Sequence, residues 1–253
     1  MFNQFFKLVE LFKKSKIMSK ISWTEKTINY ITGCTKISAG CANCYAEIMH
    51  RRLKAMGQTK YQRDFIYVES HPEELAKISK KQKAKMIFIN SMSDTFHEDI
   101  SFIKMNKLFF AIKQAPKHTF QVLTKRPLHA LDFFASHYNY HNLPNLWLGV
   151  TVENNKEMHR LETLREIPAK VRFLSIEPLL EDLQPMNLEG IHWVIIGCES
   201  GHKRRECKLD WIRNIIAQCK VQNVAVFVKQ LEIDGELIKD NLLEEFNYRE
   251  FPI

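Results

Sequence analysis

The chain has 253 residues, 45% of them hydrophobic and 11% aromatic, enough for one large core and far more than a small secreted domain held by disulfides. Eight glycines and eight prolines, with no Ser/Gly/Pro-rich linker between the halves, favour one folded unit over two. A formal charge of +8 favours a polyanionic partner, nucleic acid above all, although the lysines at 77, 80, 81, 83 and 85 read equally well as a solvated helix face.

In chain order the first segment is MFNQFFKLVELFKKSKIMSK, in which Phe2, Phe5, Phe6, Val9 and Phe12 would share one face of an amphipathic helix. Its apolar run is too interrupted for a membrane span and lacks a signal-peptide core. With Met18 as an alternative start, residues 1–20 are expected to lie outside a domain of residues 21–253.

TINYIT (27–32) reads as the first strand, and GCTKISAGCANCYAE follows it with cysteines at 34, 41 and 44. After the last of these, Ala46, Met49, Leu53 and Met56 make a helical stripe that Gly57 ends. The cysteines therefore belong to a strand-to-helix loop. Six further apolar runs follow, at 86–94, 119–127, 146–154, 171–178, 192–201 and 223–230, each ending in polar residues. They are too continuous for a sheet with one wet face. Ser101, Pro127, Asn154 and Asp210 mark helix starts between them. Repeated βα units without a GxGxxG after the first strand favour an α/β fold built as a partial or complete (β/α) TIM-like barrel, mostly of parallel strands, over a dinucleotide-binding sheet.

In such barrels the site lies at the carboxyl ends of the strands. Those ends collect Asn90, Ser91 and Asp94; Lys125 and Arg126; Glu153 and Asn154; Glu177; Glu199 and Ser200; and Lys229 and Gln230. Individually each reads as a solvated loop residue or half of an ion pair, such as Glu177 with Arg126. His97 is read first as a residue that starts a helix, and Trp147 and Trp193 as packing.

Three thiols clustered in a large chain read as metal binding in a reducing cytoplasm. Three readings stay open: a four-iron–four-sulfur cluster with one iron free, a zinc site completed by His50, Cys198, His202 or Cys207, or buried structural cysteines. The strand-end carboxylates leave two further functions open. One is a nuclease with magnesium on Asp94, Glu153, Glu177 and Glu199; the other is a zinc-stabilised nucleic-acid-binding protein without catalysis.

ISWTEKTINYITGCTKISAGCANCYAE, IFINSMSDTFHED, VLTKRP, WLGVTVEN, RFLSIEPLL, VIIGCESG and VFVKQ cover most of residues 21–230 in order. This set resembles the phage gp-thirty-seven/gp-sixty-eight family, a domain of unknown function with a three-cysteine signature. Members usually carry glycine where this chain has Cys198. That family is in turn similar to radical S-adenosylmethionine enzymes. The resemblance implies a [4Fe-4S] cluster on Cys34, Cys41 and Cys44, with S-adenosylmethionine on its free iron. It further implies an electron donor and a nucleic-acid or nucleotide substrate. Asn90, Ser91, Asp94, Lys125, Glu153, Glu177, Glu199 and Lys229 would then bind cofactor. Arg126 and Lys203–Arg205 would meet a carboxylate or phosphate. The departure lies in the spacing, C-x6-C-x2-C against the usual C-x3-C-x2-C, with Asn43 before and Tyr45 after the last cysteine.

Overall fold

The computed structural model describes residues 21–78 and 83–252; the amphipathic reading of residues 1–20 falls outside them. The strands are β1 Lys26–Ile28, β2 Ile31–Thr32, β3 Glu69–Ser70, β4 Met86–Ile89, β5 Thr119–Thr124, β6 Leu146–Thr151, β7 Val171–Ile176, β8 Trp193–Gly197, β9 Ala225–Ile233 and β10 Glu236–Ile238. The α-helices are α1 Tyr45–Ala55, α2 Phe102–Lys113, α3 Pro127–Ser136, α4 His159–Glu166 and α5 Leu209–Val221.

One sheet runs in the order β1-β4-β5-β6-β7-β8-β9-β10, parallel throughout except for the antiparallel β9–β10 pair. β1 and β10 are its edges, so this is an α/β fold with an open sheet, the partial architecture of the two expected. Among the described residues no helix is long and apolar enough to cross a membrane.

Successive side chains on a strand point to opposite faces, and here both faces are dry. On the outer face Ile89, Val122, Leu148, Leu174, Val194 and Val226 join α2, α3, α4 and α5 through Phe109, Phe133, Leu164 and Ile215 in one core. The inner face holds a second cluster of Trp23, Phe88, Phe173, Trp193, Ile195 and Phe227, with Leu123 and Trp147 against it. Trp23 touches Phe88 of β4 at 4.7 Å and Trp193 of β8 at 6.2 Å, strands that are not neighbours. The sheet therefore curls around this aromatic floor. Trp147 and Trp193 are packing residues; Trp193 also donates from Nε1 to the Glu250 carbonyl at 2.8 Å.

Gly149 shows how tightly the floor is filled. A Cβ there would lie 2.5 Å from the ring of Phe173, which is fully buried and cannot retreat. Gly149→Ala is expected to cost about 1–3 kcal/mol by overpacking. Urea denaturation tests this, and an unchanged midpoint would refute it.

The expected strand 27–32 is split. β1 pairs with β4, while β2 turns away to pair antiparallel with β3. The Asn90 side chain fills the break, its Oδ1 accepting from the Ile31 N–H at 2.8 Å. Helix starts follow the sequence signals closely. Pro127 opens α3, Asn154 caps a short 3-10 turn before α4, and Asp210 sits in the first turn of α5.

Candidate functional site

Between β2 and α1 the chain crosses the carboxyl end of the sheet. Gly33 turns it with φ +83°, and a Cβ there would meet the Tyr67 carbonyl oxygen at 2.1 Å, so only glycine fits. Cys34 then donates its N–H to the Phe65 carbonyl at 2.8 Å. Ala39–Cys41 form a 3-10 turn, and Cys44 sits at the N-cap of α1. All three cysteines are free thiols and half-buried.

They border one cavity of about 570 Å³. Its wall also takes in Asn90, Ser91, Asp94, Lys125, Arg126, Glu177, Glu199 and Lys229 from the strand ends, over a floor of Trp23, Phe88 and Leu123. Glu153 is fully buried behind the cysteine loop. Lys229 reaches the cavity because β9 carries one extra residue opposite the Ile196/Gly197 step of β8, a bulge that brings both Lys229 and Gln230 to the wall.

The carboxylates are paired one by one with cations. Asp94 faces Arg126 at 3.4 Å and Glu153 faces Arg160 at 2.9 Å; Glu177 meets Lys229, and Glu199 meets Arg205. Glu177 thus takes Lys229 as its partner and not Arg126. Among the described residues no three His, Cys, Asp or Glu side chains group closely enough to hold a metal ion. That finding covers the three cysteines and, equally, the four carboxylates expected to share magnesium, each of which already has a cationic partner. The candidate fourth zinc ligands are dispersed too. His50 packs between Tyr61 and Phe65 and meets the Arg63 carbonyl, Cys198 and Cys207 are buried beside each other, and His202 is exposed.

Several partners bind the cysteine loop from the segments that follow distant strands. Glu153 accepts from the Ser38 hydroxyl and from the Gly40 N–H at 3.0 Å. Asn43 donates to Glu199 at 2.9 Å, and Arg205 to the Ala39 carbonyl at 2.9 Å. His97 reaches Thr35 at 2.8 Å, so this buried imidazole braces the residue after Cys34. Burial, then the Asp94 carboxylate, push the Cys34 thiol up to about 12, with Arg126 pulling the other way.

The model of one protein family, described as a protein of unknown function (DUF5131), matches residues 18–246. The chain belongs to the DUF5131 family. No curated protein matches it. A solved structure of a spore photoproduct lyase variant with bound AdoMet and dinucleoside spore photoproduct is similar at a TM-score of 0.45 and 12% identity, over 89% of this chain and 72% of that one.

In this DUF5131 chain some residues read as cofactor contacts are engaged within the protein. Asn90, held at φ +60°, spends Oδ1 on Ile31 and Nδ2 on Thr95. Asp94 accepts from the Thr124 hydroxyl at 2.7 Å and from the N–H groups of Lys125 and Phe96. Arg205 is committed to Glu199, and Arg204 to Glu232 at 3.5 Å, whereas Lys203 is exposed. Thr151 and Ser175, which no motif drew attention to, line the cavity. They stand two residues before Glu153 and Glu177, on the inward parity of β6 and β7, so strand alternation was the signal available for them.

Proposed function

We propose that the chain is a radical S-adenosylmethionine-type iron–sulfur enzyme of a reducing cytoplasm, acting on a nucleic acid or nucleotide and drawing on an electron donor. One observation carries this reading: three free thiols on one strand-to-helix loop border a single cavity that the ends of the parallel strands enclose. The donor set fits the group. A single zinc would gather every thiolate about 2.3 Å from one point, whereas a four-iron cluster takes each thiolate on a different iron and spreads them. Three free thiols that border one cavity, one donor short of a closed four-ligand zinc site, suit the second case.

Cys34, Cys41 and Cys44 would hold the cluster, which when bound supplies the electron for reductive cleavage of the S-adenosylmethionine sulfonium. The chain's own residues orient and shield. Ser91, Glu177 and Lys229 on the wall offer hydrogen bonds to ammonium, hydroxyl and carboxylate groups. Lys125 and Lys203 bring positive charge for a phosphate. The Trp23, Phe88 and Leu123 floor keeps water from the far side. The phage-family resemblance and the charge of +8 support the nucleic-acid substrate.

Anaerobic reconstitution with iron and sulfide tests the reading. The protein should turn brown and, given reductant and S-adenosylmethionine, release 5′-deoxyadenosine. Colourless protein with stoichiometric zinc would overturn it.

A further inference from the structure

We infer that Arg126 tunes the metal centre by donating a hydrogen bond to the sulfur of Cys34, an inference that rests on the cluster reading above. Arg126 directly precedes α3 and is only 5% exposed, so its guanidinium is fixed in place and poorly screened. Every one of its five N–H donors has a protein acceptor. Nε meets the Glu98 carboxylate at 2.7 and 2.9 Å. Nη2 meets the carbonyl and hydroxyl oxygens of Thr35 at 3.1 and 2.9 Å. Nη1 divides its pair between Asp94 at 3.4 Å and the Cys34 sulfur at 3.6 Å.

A guanidinium with all donors satisfied has none left for a substrate phosphate or the methionyl carboxylate. Its one contact with the cysteine ligand set is the bond to sulfur. Hydrogen bonds to ligand sulfurs and the net charge around a cluster both set its reduction potential. The reduced cluster carries one more negative charge than the oxidised one, so a buried cation donating to sulfur stabilises the reduced state and raises the potential. Glu98 at Nε, and Asp94 sharing Nη1 with the Cys34 sulfur, offset that charge. Arg126 is therefore a positioning residue for Cys34 and a tuning residue for the centre.

The test is an EPR-monitored redox titration of the reconstituted protein and three variants. Arg126→Gln should reduce with more difficulty, the ratio of reduced to oxidised cluster at a fixed potential falling about tenfold, the scale of one hydrogen bond to a charged group. Arg126→Lys keeps the charge without the fork and should fall between. Glu98→Gln should move the opposite way, because it removes an anion that offsets the guanidinium. The Glu98 side chain is 61% exposed, so this variant keeps the test decisive even where Arg126→Gln does not fold. Opposite shifts from the two sites are not expected of a purely structural role. An intact cluster with unmoved potentials in Arg126→Lys and Glu98→Gln would overturn the inference. Wild-type protein that takes up no iron or sulfide would instead overturn the site reading beneath it.

Discussion

Serine in place of any one of Cys34, Cys41 or Cys44 is expected to reduce bound iron and sulfide to below about a tenth of the wild-type level while the fold persists. The two side chains are nearly isosteric, but a hydroxyl is a hard donor that stays protonated where a thiol can be drawn off as thiolate by iron. The three cysteines are half-buried on a loop outside the two large apolar cores, and only Cys44 packs on a small cluster of Ala46, Tyr61 and Met92, so the near-isosteric exchange disturbs packing little. Cys219 is the internal control: it is fully buried in α5 within the outer core, and Cys219→Ser should leave iron content unchanged. Cys198→Ser and Cys207→Ser separate the metals. These buried thiols are zinc-ligand candidates of the sequence, and a zinc site completed by either would lose its metal with that change. Under the cluster reading both retain iron. Iron and sulfide analysis with far-UV circular dichroism reads all six variants; full iron in Cys34→Ser would end the cluster assignment.

Much of the fold was legible because its strands are parallel and buried on both faces, which leaves long apolar runs that can be counted. The runs at 119–127, 146–154 and 171–178 became β5, β6 and β7 in register with one another. What escaped were elements without such runs: β3 is Glu69–Ser70, and β10 is an edge hairpin strand that pairs with β9 alone. The break in TINYIT escaped too, since it is closed by Asn90, about sixty residues further along.

The site divides the same way. Strand-end position is a local property, so Lys125, Glu177, Glu199 and Lys229 could be picked out one at a time, and all four border the cavity. Partnership is not local. Arg126 and Cys34 are separated by 92 residues, and Glu153 and Gly40 by 113; nothing in either neighbourhood announces the other. Glu153 looked like its neighbours at the strand ends and turned out to hold the cysteine loop from behind.

That contact makes Glu153→Ala the most damaging single carboxylate change expected here. Glu153 is fully buried, with Oε1 taking the Ser38 hydroxyl and the Gly40 N–H and Oε2 taking Arg160. Removing one member of a buried ion pair costs about 3–5 kcal/mol, because the remaining charge stays desolvated. Arg160 keeps Glu157 at 2.6 Å, which places the expected loss near the lower end of that range. The loop between Cys34 and Cys41 would also lose its anchor, so hydrogen exchange at the Gly40 amide should quicken. Glu153→Gln separates the two effects: its amide oxygen can still accept from Gly40, holding the loop, but it cannot neutralise Arg160. Acid titration adds a signed check. Burial alone would raise the Glu153 pKa, yet Lys125, the Ser38 hydroxyl, Arg160 and the Gly40 N–H hold it below the ordinary 4.5. A carboxylate depressed in the folded state stabilises fully above its unfolded value, and that stabilisation is lost as pH falls through the folded one. The stability gap between wild type and Glu153→Ala should therefore be constant near neutrality and narrow below about pH 4.5. Urea denaturation at several pH values measures it, and a neutral-pH gap under about 1 kcal/mol would show that Glu153 neither anchors the loop nor balances Arg160.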